Sequence, residues 1–286
     1  IASELRQSFE DDKSSRQQWE ETYTKGLDLL GLNYSERSQP FQGASGVTHP
    51  LLAESVTQFQ AQAYKELLPA SGPVRTQIIG QATKDKEDQA QRVSDFMNYQ
   101  IMHVMEEYDP ELDQMLFYLP LAGSTFKKIY YDASLGRAVS KFVPAEDLIV
   151  PYTATNLSEC ERVTHVLKRT DNDIKKMQVT GFYRDVDLQV VQEENKVEEK
   201  ERKLSGIEKT GYRDDQYTLL EMHVDLDLPG FEDPDGIKLP YIITIDEGSG
   251  NVLSIYRNYK DGDTLYKKQQ YFVHYKFMPG LGFYGL

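Results

Sequence analysis

The residues best suited to chemistry form an acidic run in the second half of the chain. They are Asp225, Asp227, Glu232, Asp233 and Asp235. Clustered carboxylates could hold a divalent cation for hydrolysis. A calcium loop, however, needs a ligand oxygen where Pro229 stands and a bidentate glutamate where Gly236 stands. We therefore predict a turn-forming acidic loop. A metal-assisted hydrolase, such as a nuclease that uses the cluster Asp225–Asp235, is the alternative.

The histidines and the cysteine match no metal or nucleophile motif. The histidines are His49, His103, His165, His223 and His274. They are far apart, with no HExxH pattern, so we interpret those on strands as half-buried structural residues. Cys160 is the only cysteine. An intrachain disulfide is therefore excluded, which suits a reducing cytoplasm, and we interpret the thiol as a small buried apolar group.

Two further motifs match known sites only formally. Gly280–Gly285 has the glycine spacing of a dinucleotide fingerprint, but the bulky Phe283 and Tyr284 would crowd its turn, so we interpret it as a connector. Asp246 and Glu247 are adjacent, and on a strand they would point to opposite faces, which is the wrong geometry for two acids sharing a substrate. We predict no catalytic, cofactor-binding or metal-binding residue, no cofactor and no enzymatic activity.

Acidic residues dominate the composition. The chain has 286 residues, with 46 Asp and Glu against 32 Lys and Arg, so its net charge is −14. A charge of this sign repels phosphate, so tight nucleic-acid binding through a basic face is not expected, although an acidic wall would let DNA pass. The 19 Tyr and 12 Phe indicate amphipathic surface suited to subunit contacts. No apolar run reaches the roughly 18 residues of a membrane span, so no membrane partner is expected.

The first half has the periodicity of helices. Its apolar stripes run from Trp19 to Leu30 with Gly31 as the stop, from Leu52 to Leu67 between Pro50 and Pro69, from Ala90 to Tyr108, and from Leu112 to Leu119 after Asp109-Pro110. Between the second and third stripes, Val74–Gly80 alternates and is predicted to be a strand. Ser35–Thr48 is predicted to be a polar loop.

The second half has the alternation of strands. The predicted strands are Phe126–Tyr131 and Arg137–Val143 as a hairpin, then Leu148–Val150, Val163–Lys168, Gln216–Asp225, Tyr241–Asp246, Val252–Tyr256 and Tyr271–Phe277. Thr170 and Asp173 are predicted to cap a short helix that runs through Met177. A helical half followed by a β-rich half predicts the α+β class, divided into a helical region 1–122 and a β-rich region 123–286.

Glu193–Lys203 is the most charge-dense segment. Glu198–Arg202 and Glu199–Lys203 are correctly ordered pairs for a helix. We interpret the segment as a solvated helix or flexible insertion; a regulatory or partner-binding arm is the alternative.

Several segments resemble parts of the portal proteins of short-tailed bacteriophages. GVTHPLLAESVTQFQAQAYKELLPASGPVRTQIIG (Gly46–Gly80) resembles their first helical region, and GSTFKKIYYD (Gly123–Asp132) resembles their entry into a strand hairpin. VPAEDLIVPYTATNLSECERVTHVLKRT (Val143–Thr170) is similar to their run of strand, proline turn, acidic loop and second strand. HYKFMPGLGFYGL (His274–Leu286) resembles the segment that leads toward the central channel.

The resemblance implies a structural protein of the virion, a ring commonly of twelve subunits at one capsid vertex, assembled in the bacterial host cytoplasm. The implied partners are other copies of the chain, terminase, the major capsid protein, scaffold and tail adaptor proteins, with double-stranded DNA passing through the channel without tight binding. Regions 1–122 and 123–286 would then form the wing-like body, and the stem, clip and crown would lie largely beyond Leu286. Another virion structural protein, such as a tail or adaptor component, is a further alternative.

Overall fold

The structure is a computed structural model that describes residues 1–30, 41–43, 49–191, 195–207, 216–278 and 282–285. Within these residues the protein is mixed α+β, with seven helices, most of them N-terminal, and two antiparallel sheets. The predicted α+β class is confirmed. None of the described helices is both long and apolar enough to cross a membrane.

The described helices and strands have the following bounds. The described helices are α1 (Ala2–Ser15), α2 (Gln17–Leu29), α3 (Leu51–Leu67), α4 (Lys84–Tyr99), α5 (Tyr108–Ala122), α6 (Asp171–Val179) and α7 (Lys196–Leu204). A π-helical turn (Gln100–Val104) and a 3₁₀ turn (Ala145–Asp147) add to them. The described strands are β1 (Ser124–Asp132), β2 (Arg137–Val143), β3 (Leu148–Ile149), β4 (Arg162–Arg169), β5 (Tyr217–Leu226), β6 (Leu239–Asp246), β7 (Val252–Arg257) and β8 (Phe272–Lys276).

The chain divides into two compact units. The sheet unit comprises Ile1–Val47, Ala145–Gln270 and Pro279–Leu286, and the hairpin unit comprises Thr48–Pro144 and Tyr271–Met278. This division does not coincide with the predicted regions 1–122 and 123–286, which follow the change from helices to strands. The reason is that α5 packs on β1 and β2 within one unit, whereas α1 contributes to the core of the other.

The sheet unit is built on a five-stranded antiparallel sheet in the order β3-β4-β5-β6-β7. One face packs against α1, where Phe9 joins a core that includes Met222 and Ile243. The other face is covered by α6, whose Ile174 packs with Leu219 of β5. Because β5 is covered on both faces, apolar residues occupy successive positions along it rather than strictly alternating ones.

The hairpin unit is built on a three-stranded antiparallel sheet in the order β2-β1-β8. Its core comprises Leu68, Leu112, Met115 and Leu116. Gly123 ends α5 in the left-handed conformation, with φ of 77°, and the chain enters β1 directly. Glu107 then fixes β2 to the start of α5 by accepting from the Ser140 amide at 3.2 Å and from Arg137 at 2.9 Å.

The predicted strand Val74–Gly80 is wrong. This segment has no regular secondary structure and pairs with no strand in the described chain. Ser94 and Asn98 of α4 hydrogen-bond to the backbone of Val74, so polar side chains of a helix take the place of a partner strand. Alternation in sequence therefore predicted a strand where the structure has none.

The stripe from Ala90 to Tyr108 is not a single helix. The α-helical hydrogen bonds stop at Tyr99, and the next turn is π-helical, closed by the Met105 amide to the Gln100 carbonyl at 2.9 Å. Met105 then leaves helical geometry, with φ of −86° and ψ of 78°, which separates this helix from α5.

The other predicted helices and strands agree with the structure to within a few residues, whereas α1 was not predicted. The β1–β2 hairpin is confirmed, with Phe126 opposite Val143 and Gly136 at φ of 64° in the turn. The helix capped by Thr170 is confirmed, since its hydroxyl accepts from the Asp173 amide at 3.3 Å. Gly31 and most of Ser35–Thr48 lie outside the described residues.

Candidate functional site

The acidic run does not converge on one point. Asp225 pairs with Lys268 at 3.3 Å, while Asp233 accepts the Asp235 amide at 2.9 Å within a turn. Turns at 229–230 and 234–235 confirm the turn-forming loop. Nowhere in the described chain are three or more His, Cys, Asp or Glu side chains arranged to hold a metal ion. The geometry that the hydrolase alternative requires is therefore not present at Asp225–Asp235.

The strand histidines have structural surroundings. His165 and His223 are buried in β4 and β5, and the His223 ring lies 2.9 Å from a Glu221 carboxylate oxygen. His274 of β8 stacks on Phe126 with ring centroids 4.5 Å apart. Burial, together with the nearby Lys276 ammonium, lowers the pKa of His274 to about 4, so this imidazole is neutral at pH 7.

Cys160 is buried, and its Sγ donates to the Arg162 carbonyl at 2.9 Å. Burial raises the pKa of the thiol, so it is not activated as a nucleophile. Asp246 is also structural, because its carboxylate accepts from the Gln189 and Ser249 amides, each at 2.9 Å. It therefore closes the turn after β6 rather than facing a shared substrate.

The aromatic pair of the glycine-rich motif belongs to the core of the sheet unit. Phe283 and Tyr284 are both buried, and Tyr284 stacks on Trp19 with centroids 4.7 Å apart. The Tyr284 hydroxyl donates to the Leu148 carbonyl at 2.8 Å. Gly280 and Leu281 lie outside the described residues. The side chains expected to crowd a cofactor turn instead anchor this segment.

Arg16 is the central polar residue of the sheet unit, and sequence reasoning did not identify it. It lies between α1 and α2 and is only 5% exposed. Its guanidinium donates to Glu20 at 3.0 Å and to the backbone carbonyls of Ala145 and Glu146 at 3.0 and 2.6 Å. The spacing of Arg16 and Glu20 was the only local signal, because the carbonyl partners lie far along the chain.

Two acidic residues near Arg16, Glu146 and Asp147, have few interactions that would offset the cost of burying a negative charge. Glu146 is 5% exposed, and its Oε2 has no hydrogen-bond partner in the described chain. Burial raises the pKa of Glu146 well above its ordinary value, and the neighbouring Asp147 adds to the effect. Burial and the Glu198 carboxylate raise the pKa of Asp147 to about 7. Both acids therefore hold protons more readily than exposed carboxyls do.

The charge-dense segment forms a docked helix, α7. Asn195 caps it by accepting the Val197 amide at 3.2 Å, and the Val197 side chain is fully buried. The predicted Glu199–Lys203 ion pair is present. Glu198 pairs with Lys168 of β4, so the helix is fixed to the sheet unit; Glu193 lies outside the described residues.

Helix α4 carries the most exposed apolar surface in the hairpin unit. All its residues are described, and none is buried. We call Val93, Phe96, Met97 and Tyr99 the α4 apolar face; Phe96 is 62% exposed. The neighbouring flank of the helix binds Val74 through Ser94 and Asn98. An amphipathic helix that leaves aromatic and thioether side chains in solvent is typical of a subunit contact.

The sheet unit has a second exposed apolar surface at its β7 edge. We call Met177, Val179, Phe182 and Tyr256 the β7-edge patch, in which Val179 is 79% exposed. Phe182 and Tyr256 stack with centroids 5.1 Å apart, and the Tyr256 hydroxyl donates to the Phe182 carbonyl at 2.7 Å. The patch is thus ordered and apolar, at the edge of a sheet.

Comparison with known proteins gives no family assignment: no protein-family model matches the chain, and a search of curated proteins finds no match.

Proposed function

We propose that this chain is a subunit of a bacteriophage portal, the head-to-tail connector of a short-tailed phage, and that it acts by assembly rather than by catalysis. The observation that carries the proposal is the α4 apolar face, because a helix with this composition and no buried residue needs a partner to cover it. The choice of a portal among assembling proteins comes from the sequence resemblance of Gly46–Gly80 and of the three later segments to phage portal proteins.

Ring closure requires two different surfaces on each subunit. The α4 apolar face and the β7-edge patch supply two candidates, one in each compact unit. The stretch that carries the α4 face has one Arg and one Asp between Ala90 and Tyr99, so it is neutral in a chain of net charge −14. Copies of an acidic chain can meet at such a surface without like-charge repulsion.

The net charge also favours a conduit over a DNA-binding protein. A charge of −14 on each subunit, repeated around a ring, gives a polyanion no strong attachment. In this proposal the ring occupies one capsid vertex of the virion after assembly in the host cytoplasm. Terminase, capsid, scaffold and tail adaptor proteins dock on it, and double-stranded DNA passes through it during packaging and ejection.

The first experiment measures the assembly directly. Mass photometry and negative-stain imaging of the purified full-length protein should give a closed ring with a central hole. The double variant F96D/M97D should shift the protein toward monomers, because two carboxylates on the α4 apolar face would be buried unpaired at the contact. L135D, at an exposed leucine in the β1–β2 turn, is the control that should leave the ring intact. A monomer would overturn the proposal, and an open tube would favour another virion component.

The second experiment tests the absence of catalysis and of tight DNA binding. Filter retention of double-stranded DNA should be weak at physiological salt and insensitive to sequence. Divalent-cation-dependent DNA cleavage that disappears in D233N or D235N would establish the hydrolase alternative instead.

A further inference from the structure

A cavity of about 270 Å³ lies within the sheet unit, next to Arg16. We call it the Glu146 cavity; the lining residues that matter here are Phe9, Glu20, Glu146, Asp147, Val166 and Glu198. Its volume is slightly below the roughly 300–1,000 Å³ of sites for drug-sized ligands, so it suits a small molecule or one side chain.

The lining carries an excess of negative charge. Among the described residues that line it, six are carboxylic acids and four are Lys or Arg. Two of the cations are already paired, Arg16 with Glu20 at 3.0 Å and Lys168 with Glu198. When Glu146 and Asp147 are ionised, four remaining acids face two remaining lysines, so the ionised cavity attracts a cation.

Glu146 provides an independent indication of a ligand. Only 5% of its surface is exposed to solvent, and its Oε2 has no hydrogen-bond donor in the described chain. Asp147, also in the lining, places a second carboxyl group near Glu146. A buried carboxylate without a donor is costly, so it is stabilised either by a proton or by a cation that donates hydrogen bonds.

The opposite wall decides which kind of cation fits. Phe9, Ile149 and Val166 give the cavity an apolar side beside its acidic side. The described carboxylates are not grouped in threes as a metal ion requires. A cation with N–H donors and an attached hydrocarbon satisfies both walls, since ammonium can donate to the acids while methylene groups pack on the apolar side.

We propose that the Glu146 cavity binds an alkylammonium group, with its ammonium on the carboxylates of Glu146 and Asp147 and its methylene groups against Phe9. The group could belong to a free small amine or to a lysine side chain of another polypeptide. The site does not depend on the portal proposal.

Protonation gives a second readout of the site. The charged groups that face the two acids are Arg16 between α1 and α2, Lys168 of β4, and Glu198 and Glu201 of α7. Burial raises the pKa of Asp147 to about 7, so a bound ammonium must displace a proton near neutral pH. Binding should therefore tighten from pH 6 to pH 8 and release protons into the buffer.

The test is isothermal titration of the full chain at pH 8 with 1,4-diaminobutane and, in a second arm, with N-acetyl-lysine methylamide. We expect saturable binding at one site per chain. The double variant E146Q/D147N should weaken it about tenfold or more, because two charge-assisted hydrogen bonds are lost. The control E66Q/D261N removes two exposed acids and should leave the affinity unchanged.

The arms separate the sources. Binding of the diamine alone identifies a free amine, and binding of the lysine derivative identifies a polypeptide side chain; both support the site. Equal binding of 1,4-butanediol or of magnesium chloride would overturn it. So would the absence of binding in both arms, or an affinity that E146Q/D147N does not change. Circular dichroism of the variants confirms that they are folded.

Discussion

The side-chain amide of Asn98 holds both backbone groups of Val74. The Val74 amide donates to Asn98 Oδ1 at 2.9 Å, and Asn98 Nδ2 donates to the Val74 carbonyl at 3.0 Å. One side chain on α4 thus reproduces the paired hydrogen bonds that a neighbouring strand would supply. This contact explains how a segment without regular secondary structure is positioned without joining a sheet.

Replacing Asn98 by Ala should release the Val74 segment from α4. Two hydrogen bonds of about 0.5–1.5 kcal/mol each are lost, so the Val74 amide should exchange with deuterium roughly 5- to 160-fold faster. Hydrogen exchange measured at residue resolution checks this. Q91A removes an exposed side chain from the same helix and should leave Val74 protected. Unchanged exchange in N98A would mean that the pair of hydrogen bonds does not hold the segment.

Gly72 and Gly80 flank this segment and form a matched pair for substitution. Both have left-handed backbones, with φ of 89° and 92°, which costs an L-residue about 1–2 kcal/mol. A Cβ on Gly72 would also overlap the Asn98 side chain, whereas a Cβ on Gly80 meets nothing within 4 Å. G72A should therefore lower the unfolding midpoint in urea clearly more than G80A.

The double variant G72A/N98A isolates the overlap. N98A removes the Cγ and Oδ1 atoms that a Cβ on Gly72 would overlap but keeps the Asn98 Cβ, which that Cβ would meet at 2.9 Å. The cost of G72A, measured in the N98A background, should therefore fall part of the way toward that of G80A. Equal effects of G72A and G80A in the otherwise native chain would contradict the steric argument.

Local chemistry made much of the fold predictable. The Thr170 cap, the turn at Gly136 and the helix-to-strand change near Gly123 depend on residues within one turn of each other. The partner of Val74 was not predictable, because alternation predicts an extended segment but does not specify what it binds. Asn98 lies 24 residues further on and belongs to a helix.

The candidate sites were harder to predict for the same reason. Arg16 reaches carbonyls 129 and 130 residues away, and the Glu146 cavity depends on helices and strands from both ends of the sheet unit. A single sequence contains no signal for contacts between residues that lie so far apart along the chain. The exposure of the α4 apolar face was equally hidden, because periodicity predicts an apolar stripe without showing whether the chain itself covers it.

Lys127 of β1 should destabilise the hairpin unit while it is charged. The residue is 1% exposed, its Nζ has no hydrogen-bond partner in the described chain, and it lies 3.9 Å from the Tyr108 ring centroid. Burial lowers its pKa to about 8, with Glu111 and Glu107 opposing the effect. Below pH 8 the ammonium is charged in both the folded and unfolded states, and the penalty is complete. Stability rises between pH 8 and the unfolded value near 10.4, where only the unfolded chain keeps the proton.

K127M should therefore raise the urea midpoint of unfolding at pH 7. Removing the buried charge should add about 1–3 kcal/mol to the free energy of unfolding, and losing the cation–π contact with Tyr108 should subtract part of that gain. The advantage over the native chain should shrink at pH 9.5. Urea unfolding of both proteins at the two pH values measures this. K65M, at an exposed lysine of α3, should show neither effect. A lower midpoint for K127M at pH 7 would show that the Tyr108 contact outweighs the buried charge.

Arg16 should be among the most costly residues to replace in the sheet unit. R16M leaves the buried Glu20 carboxylate and the backbone carbonyls of Ala145 and Glu146 without the guanidinium donor. The Leu148 carbonyl loses one donor and keeps the Tyr284 hydroxyl. Breaking a buried pair in this way costs about 3–5 kcal/mol, so the urea midpoint should fall sharply. R16K keeps the charge but cannot match the planar fork, so we expect an intermediate loss. R92M, at an exposed arginine of α4, is the control.

Trp19, the only tryptophan, lies beneath the guanidinium at 5.3 Å, so its fluorescence reports the local unfolding while circular dichroism reports the whole chain. Midpoints of R16M and R92M that agree would mean that the guanidinium contributes no net stability, because desolvation cancels its hydrogen bonds.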